Sequence, residues 1–185
     1  ALIGSVLSGA LSIAREREEG TFDQLLVAPY TPREILLGKG ISTVITSIMQ
    51  TFFIVLVAMF WFRIPFQGSI WLLSGAILLF IITGAAIGLC ISSFSQSLQQ
   101  AIVGTFLLVV PTVMLSGFAT PISSMPEFFQ DLTLLNPMRY GLELIQRIFL
   151  EGAGFMDLWP LFGAITLVTI GTAAAAIFSF HRKIS

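Results

Sequence analysis

Charge is what this 185-residue chain has least of: nine Lys plus Arg, ten Asp plus Glu, a net charge of −1, and charged residues at 10% of the total. A soluble domain carries about 25%. Hydrophobic residues make up 56% and mean hydropathy is +0.94, so too few polar side chains exist to clothe a water-soluble globule. The near-neutral balance without a basic stripe excludes nucleic acid as a partner, and the apolar content excludes disorder. One Cys and one His exclude a disulfide scaffold and leave Cys90 and His181 as the whole Cys/His supply for a metal site or a Ser-His-Asp relay. The one P-loop look-alike, around Gly38-Lys39-Gly40, has Gly40 where a Mg²⁺-binding Ser or Thr is needed and Arg33 in place of the first Gly. No catalytic, cofactor or metal site is therefore expected on this chain. A membrane protein remains.

Uncharged runs cover 1–14, 40–62, 64–126 and 158–180. About 20 apolar residues cross ~30 Å of hydrocarbon, so 40–62 and 158–180 each fit one helix. The 63 residues of 64–126 would reach about 95 Å as one helix and must fold back. The polar but uncharged stretch Ser92-Ser93-Phe94-Ser95-Gln96-Ser97-Leu98-Gln99-Gln100 reads as a turn and divides them into spans near 69–91 and 99–118. The first run is short, opens on Ala and lacks a basic leader, so the sequence reads as an N-terminally truncated fragment beginning inside a span. Arg15, Arg17, Arg33 and Lys39 then share a loop at 15–39 on the same side as Arg182 and Lys183 in a tail at 181–185. The positive-inside rule makes that side cytoplasmic. Trp61, Trp71 and Trp159 fall at the outer interface, where indoles prefer to sit.

The complete runs contain no ionisable group. Ion-coupled carriers place such groups at membrane depth, so the work of moving a solute is expected to enter from outside the bilayer. Thr43, Thr46, Ser47 and Gln50 form a polar stripe, and Thr112 and Ser116 lie one turn apart beyond Pro111. Either set could line a substrate path or simply let helices pack, as the small-residue pattern of Gly84 and Gly88 does.

The loop 15–39 is dense in signals. Arg15-Glu16-Arg17-Glu18-Glu19 is a charged helical turn that Gly20 ends. Thr21 and Gln24 match a capping box for a short helix with Phe22, Leu25 and Leu26 on one side, closed by Pro29; Thr31, Pro32 and Glu34 match a second. Two turns of helix are unstable alone. The acidic flank of this one suits a protein partner better than an anionic leaflet. In the outer segment 119–157, Asn136 and Pro137 start a helix on which Arg139, Glu143, Arg147 and Glu151 stand four apart, an alternating ladder.

The stretch Arg15-Glu16-Arg17-Glu18-Glu19-Gly20-Thr21-Phe22-Asp23-Gln24-Leu25-Leu26-Val27-Ala28-Pro29, with Lys39 ten residues on, resembles the cytoplasmic signature of type-2 permeases of ATP-binding cassette (ABC) exporters. Leu115-Ser116-Gly117-Phe118-Ala119-Thr120-Pro121-Ile122 and Leu135-Asn136-Pro137-Met138-Arg139-Tyr140 are similar to that family's outer hairpin. The resemblance implies an all-α, polytopic helical bundle with a cytoplasmic coupling helix at 21–28 and an outer re-entrant hairpin, covering spans two to six of six. It further implies that Glu16, Glu18, Glu19, Gly20, Thr21, Phe22, Gln24, Leu25 and Leu26 contact a separate ABC ATPase, which would bind the ATP and Mg. A second permease copy, identical or a sister protein, would complete the route through the inner membrane. A secondary carrier or channel driven by an ion gradient stays open as the alternative, and a membrane enzyme as a weaker one.

Overall fold

In the computed structural model, residues 1–21, 31–62, 68–118 and 120–184 are described. Seven α-helices make up the described fold: α1 (Leu2–Glu18), α2 (Pro32–Phe60), α3 (Ile70–Phe94), α4 (Leu98–Met114), α5 (Glu127–Leu132), α6 (Pro137–Gln146) and α7 (Phe155–Ile184). No strand occurs among the described residues. The expected all-α, membrane-embedded architecture is what the chain adopts. Three helices, at 34–60, 70–94 and 155–179, are long and apolar enough to cross a membrane, and α4 is a shorter apolar helix of 17 residues. The span read as 99–118 thus stops at Met114. Ser116 Oγ takes up the Phe118 N–H at 3.2 Å, and Gly117 turns the chain with a φ of 87° that a side chain would resist.

The helix starts follow local chemistry. Thr31 accepts from the Glu34 N–H at 3.4 Å while the Glu34 carboxylate accepts from the Thr31 N–H at 2.7 Å, a complete capping box. Asn136 accepts from the Met138 N–H at 3.0 Å, with Pro137 at the first helical position.

Inside lipid, water does not drive helices together, so close backbone approach and interhelical hydrogen bonds have to hold them. The seam between α1 and α3 uses both. A Cβ added to Gly9 would lie 3.0 Å from the Ala85 carbonyl oxygen, and one on Gly88 would collide with the Val6 carbonyl. The Gly84/Gly88 pattern therefore serves backbone contact with α1. Ser92 Oγ accepts from the N–H groups of Ile13 and Ala14 at 3.1 and 3.0 Å. On its other side α3 meets α7 through a buried hydroxyl pair, Thr83 and Thr169, 2.6 Å apart. The core around α3 is completed by Leu2 and Val6 of α1, Leu144 of α6, and Leu158 and Ile165 of α7. Large apolar side chains such as Leu107 and Leu167 are exposed.

The outer segment is a chain of short helices. Two 3₁₀ turns flank α5, and a π turn at Arg147–Glu151 follows α6. The charge ladder forms one rung: Arg147 pairs with Glu143 at 2.7 Å. Arg139 instead donates to Thr133 Oγ1. The wider π turn moves Glu151 off the Arg147 face, because five-residue spacing breaks the four-residue register on which the ladder depends.

Candidate functional site

The charged turn ends α1 with a glycine cap. The Gly20 N–H donates to the Arg17 carbonyl at 3.3 Å and the Thr21 N–H to the Glu16 carbonyl at 3.0 Å, while Gly20 takes a φ of 73°. This is a Schellman motif, and glycine suits its left-handed position because it has no Cβ. The Thr21 hydroxyl donates back to the Glu16 carbonyl at 3.3 Å. Phe22, Gln24, Leu25 and Leu26, and with them the short helix read at 21–28, fall outside the described residues.

Consecutive helical residues point about 100° apart, so Glu16, Arg17 and Glu18 fan out, and each meets a different helix. Glu16 pairs with Lys39 of α2 through its Oε1. Arg17 Nη1 donates to the Ser93 and Ser95 carbonyls at 3.2 and 2.9 Å, where α3 ends and its last carbonyls lack helical partners. A cation there also opposes the negative end of the α3 dipole. Burial draws the Arg17 pKa below the ordinary guanidinium value, yet a guanidinium stays charged. Glu18 Oε2 accepts the Leu98 N–H at 2.7 Å, at the positive end of α4. The outward-facing Arg15 and Glu19 make only an exposed pair at 3.7 Å. One turn of α1 thus fastens α2 two turns from its start, the end of α3 and the start of α4.

The sequence marked Glu16 and Glu18 but passed over Arg17. Its two carbonyl partners lie 76 and 78 residues away, beyond any local pattern. The available signal was the run of five charges from Arg15 to Glu19.

The polar stripe of α2 divides. Thr43 and Ser47 are buried, joined one turn on by Thr51; Thr46 and Gln50 are exposed. Thr43 and Thr46 line a groove of about 470 Å³ between α1 and α2, which Ser8 and Ser12 line from α1 and whose charged end carries Glu16 and Lys39. Gln50 lies farther along the same seam, where its side-chain oxygen takes the space that a Cβ on Gly4 would need. Thr112 and Ser116 sit apart from this groove. The Thr112 hydroxyl donates to the Leu108 carbonyl, and the Thr112 carbonyl accepts from Asn136 Nδ2, both at 2.7 Å. Ser116 Oγ donates to the Val113 carbonyl at 2.6 Å. These bonds tie the outer segment to the end of α4. Among the described residues no group of three or more His, Cys, Asp or Glu side chains converges as a metal site would require.

Residues 1–150 match the family model described as ABC-2 type transporter. The chain is similar to "Probable multidrug ABC transporter permease YbhR" of Escherichia coli K12, 35% identical over 182 residues, covering 98% of this chain and 50% of that protein. It is similar too to "Inner membrane transport permease YhhJ" of the same organism, 34% identical over 186 residues, covering 99% and 49%. "Linearmycin resistance permease protein LnrN" of Bacillus subtilis is 26% identical over 173 residues, covering 94% and 45%. The chain spans about half the length of the curated relatives it matches. No solved structure matches it. An all-helical membrane bundle with an acidic, glycine-capped turn at the end of its first helix, matched by the family over four-fifths of its length, is a member of the ABC-2 type transporter family.

Proposed function

We propose that this chain is the helical core of a permease subunit in an ATP-driven ABC exporter of the inner membrane, breaking no bonds itself. A partner ATPase binds ATP and Mg²⁺ and works on the permease through residues 21–28. Two permease copies enclose the substrate route. The charged end of the bundle, with residues 15–39 and the C-terminus, faces the cytoplasm, in accord with its Lys and Arg residues.

The carrying observation is the fan of Glu16, Arg17 and Glu18 onto α2, α3 and α4. Residues 21–28 follow directly on this turn in the chain. A push on them reaches the end of α1 first, and α1 cannot swing without pulling three other helices. Packed elements of this kind move as bodies rather than bend, so ATP-driven closure in the partner becomes a tilt of the spans. The groove between α1 and α2, with Thr43 and Thr46 in its wall, supplies polar contacts along the route. Ser47 and Gln50 extend that polar seam farther into the membrane.

The test is co-purification of the full-length permease with its ATPase. Phe22→Asp and Leu25→Asp each place a charge on the apolar side of the short helix and are expected to abolish the complex while the permease still inserts. Undiminished capture of the ATPase by both variants would remove the coupling role from this segment.

A further inference from the structure

The halves of α2 and α3 nearest the tryptophans part around a cleft of about 460 Å³, within the ~300–1,000 Å³ range of small-molecule sites. Phe52, Leu56 and Met59 line it from α2, and Leu73, Ile77 and Leu78 from α3. Its two polar contributors behave differently. Ser74 donates to the Ile70 carbonyl at 2.8 Å, one turn back. Thr51 is buried and its hydroxyl has no hydrogen-bond partner. Thr43, Thr46, Thr83 and Thr105 all donate to the carbonyl four residues before them, so Thr51 forgoes a bond readily available to a helical threonine. A buried hydroxyl left so in a low-dielectric setting calls for a reason. A 120° step about χ1 carries the hydroxyl to a position now held by another Cβ substituent.

We propose that this cleft binds an apolar molecule of drug size that carries one hydrogen-bond acceptor, which the Thr51 hydroxyl engages. Thr51 lies nine residues before Phe60, roughly 14 Å along the helix, which is about half the depth of a ~30 Å hydrocarbon core. A phospholipid carries its acceptors at the headgroups and would leave Thr51 unpaired. An acceptor-bearing apolar solute dissolved in the bilayer reaches that depth and enters sideways between α2 and α3. The proposal rests on the transport reading for its purpose, but binding can be read with no ATPase present, so the two fail separately.

The experiment uses the full-length permease in lipid nanodiscs with two fluorescent probes: Nile red, apolar with a carbonyl acceptor, and diphenylhexatriene, a pure hydrocarbon. Nile red is expected to bind saturably, one per permease, above its partition into empty discs. Thr51→Val preserves shape and is expected to weaken Nile red about tenfold, the loss of one hydrogen bond, with diphenylhexatriene changed less than twofold. Leu78→Trp, a partly exposed wall position, is expected to abolish binding of both probes without moving the melting midpoint. Nile red that only partitions overturns the proposal. So does an unchanged affinity in Thr51→Val, or saturable binding that survives Leu78→Trp.

Discussion

The two ends of the bundle spend their charges differently. At the charged end, Glu16, Arg17 and Glu18 of one helix reach α2, α3 and α4. At the tryptophan end, among the described residues, Arg147 pairs with Glu143 one turn away and Arg139 donates to Thr133, both within the outer segment. From the outer segment Asn136 crosses to a span, donating to the Thr112 carbonyl at the end of α4. The first arrangement joins helices into one body. The second ties a cap together by hydrogen bonds and rests it on the spans through apolar contacts such as Leu144 and Ile148, which are non-directional. In the proposed exporter, a bundle joined by directional bonds at one end and by apolar contacts at the other converts a push at the first end into motion at the second, as alternating access requires.

Breaking the fastened end should cost most. Arg17→Met keeps the apolar stem and removes two charge-assisted bonds to carbonyls of α3, with an expected loss of about 3 kcal/mol in detergent unfolding followed by tryptophan fluorescence. Arg17→Lys should recover only part of that, because an ammonium lacks the planar fork of the guanidinium. Asn136→Ala removes both a helix cap and the bond to Thr112 and should cost about 2 kcal/mol by the same measurement, more than any other single change in the outer segment if the comparison holds. Glu143→Gln breaks only a half-exposed pair within one helix and should stay within about 0.5 kcal/mol of wild type. Equal losses for Arg17→Met and Glu143→Gln would erase the contrast between the ends.

What the sequence made legible was local. The Gly20 cap, the Thr31/Glu34 box and the Asn136-Pro137 start each depend on residues within a few positions of one another, so spacing alone reveals them. The charge-free runs likewise give α2, α3 and α7, since hydrocarbon thickness sets their length. Contacts between distant helices leave no such trace. Nothing in the run Arg15–Glu19 says that Arg17 closes the end of α3, and nothing in Gly84 and Gly88 says that Gly9 is what they approach. The stripe from Thr43 to Gln50 looked continuous because i, i+3, i+4 and i+7 share a broad face. Burial chose the narrower line of Thr43, Ser47 and Thr51 and left Thr46 and Gln50 outside it. The ladder from Arg139 to Glu151 assumed an unbroken α-helix, which the π turn interrupts.

The most direct test of the mechanical account is a pair of spin-label distances in the complete transporter with its ATPase, before and after trapping with ATP and vanadate. One pair joins α1 to the turn after α3 at the fastened end, at Arg15 and Gln96; the other joins the starts of α1 and α3, at Ile3 and Trp71, all four being exposed. The account predicts that the first distance stays the same while the second changes. A first distance that changes while the second holds would contradict it.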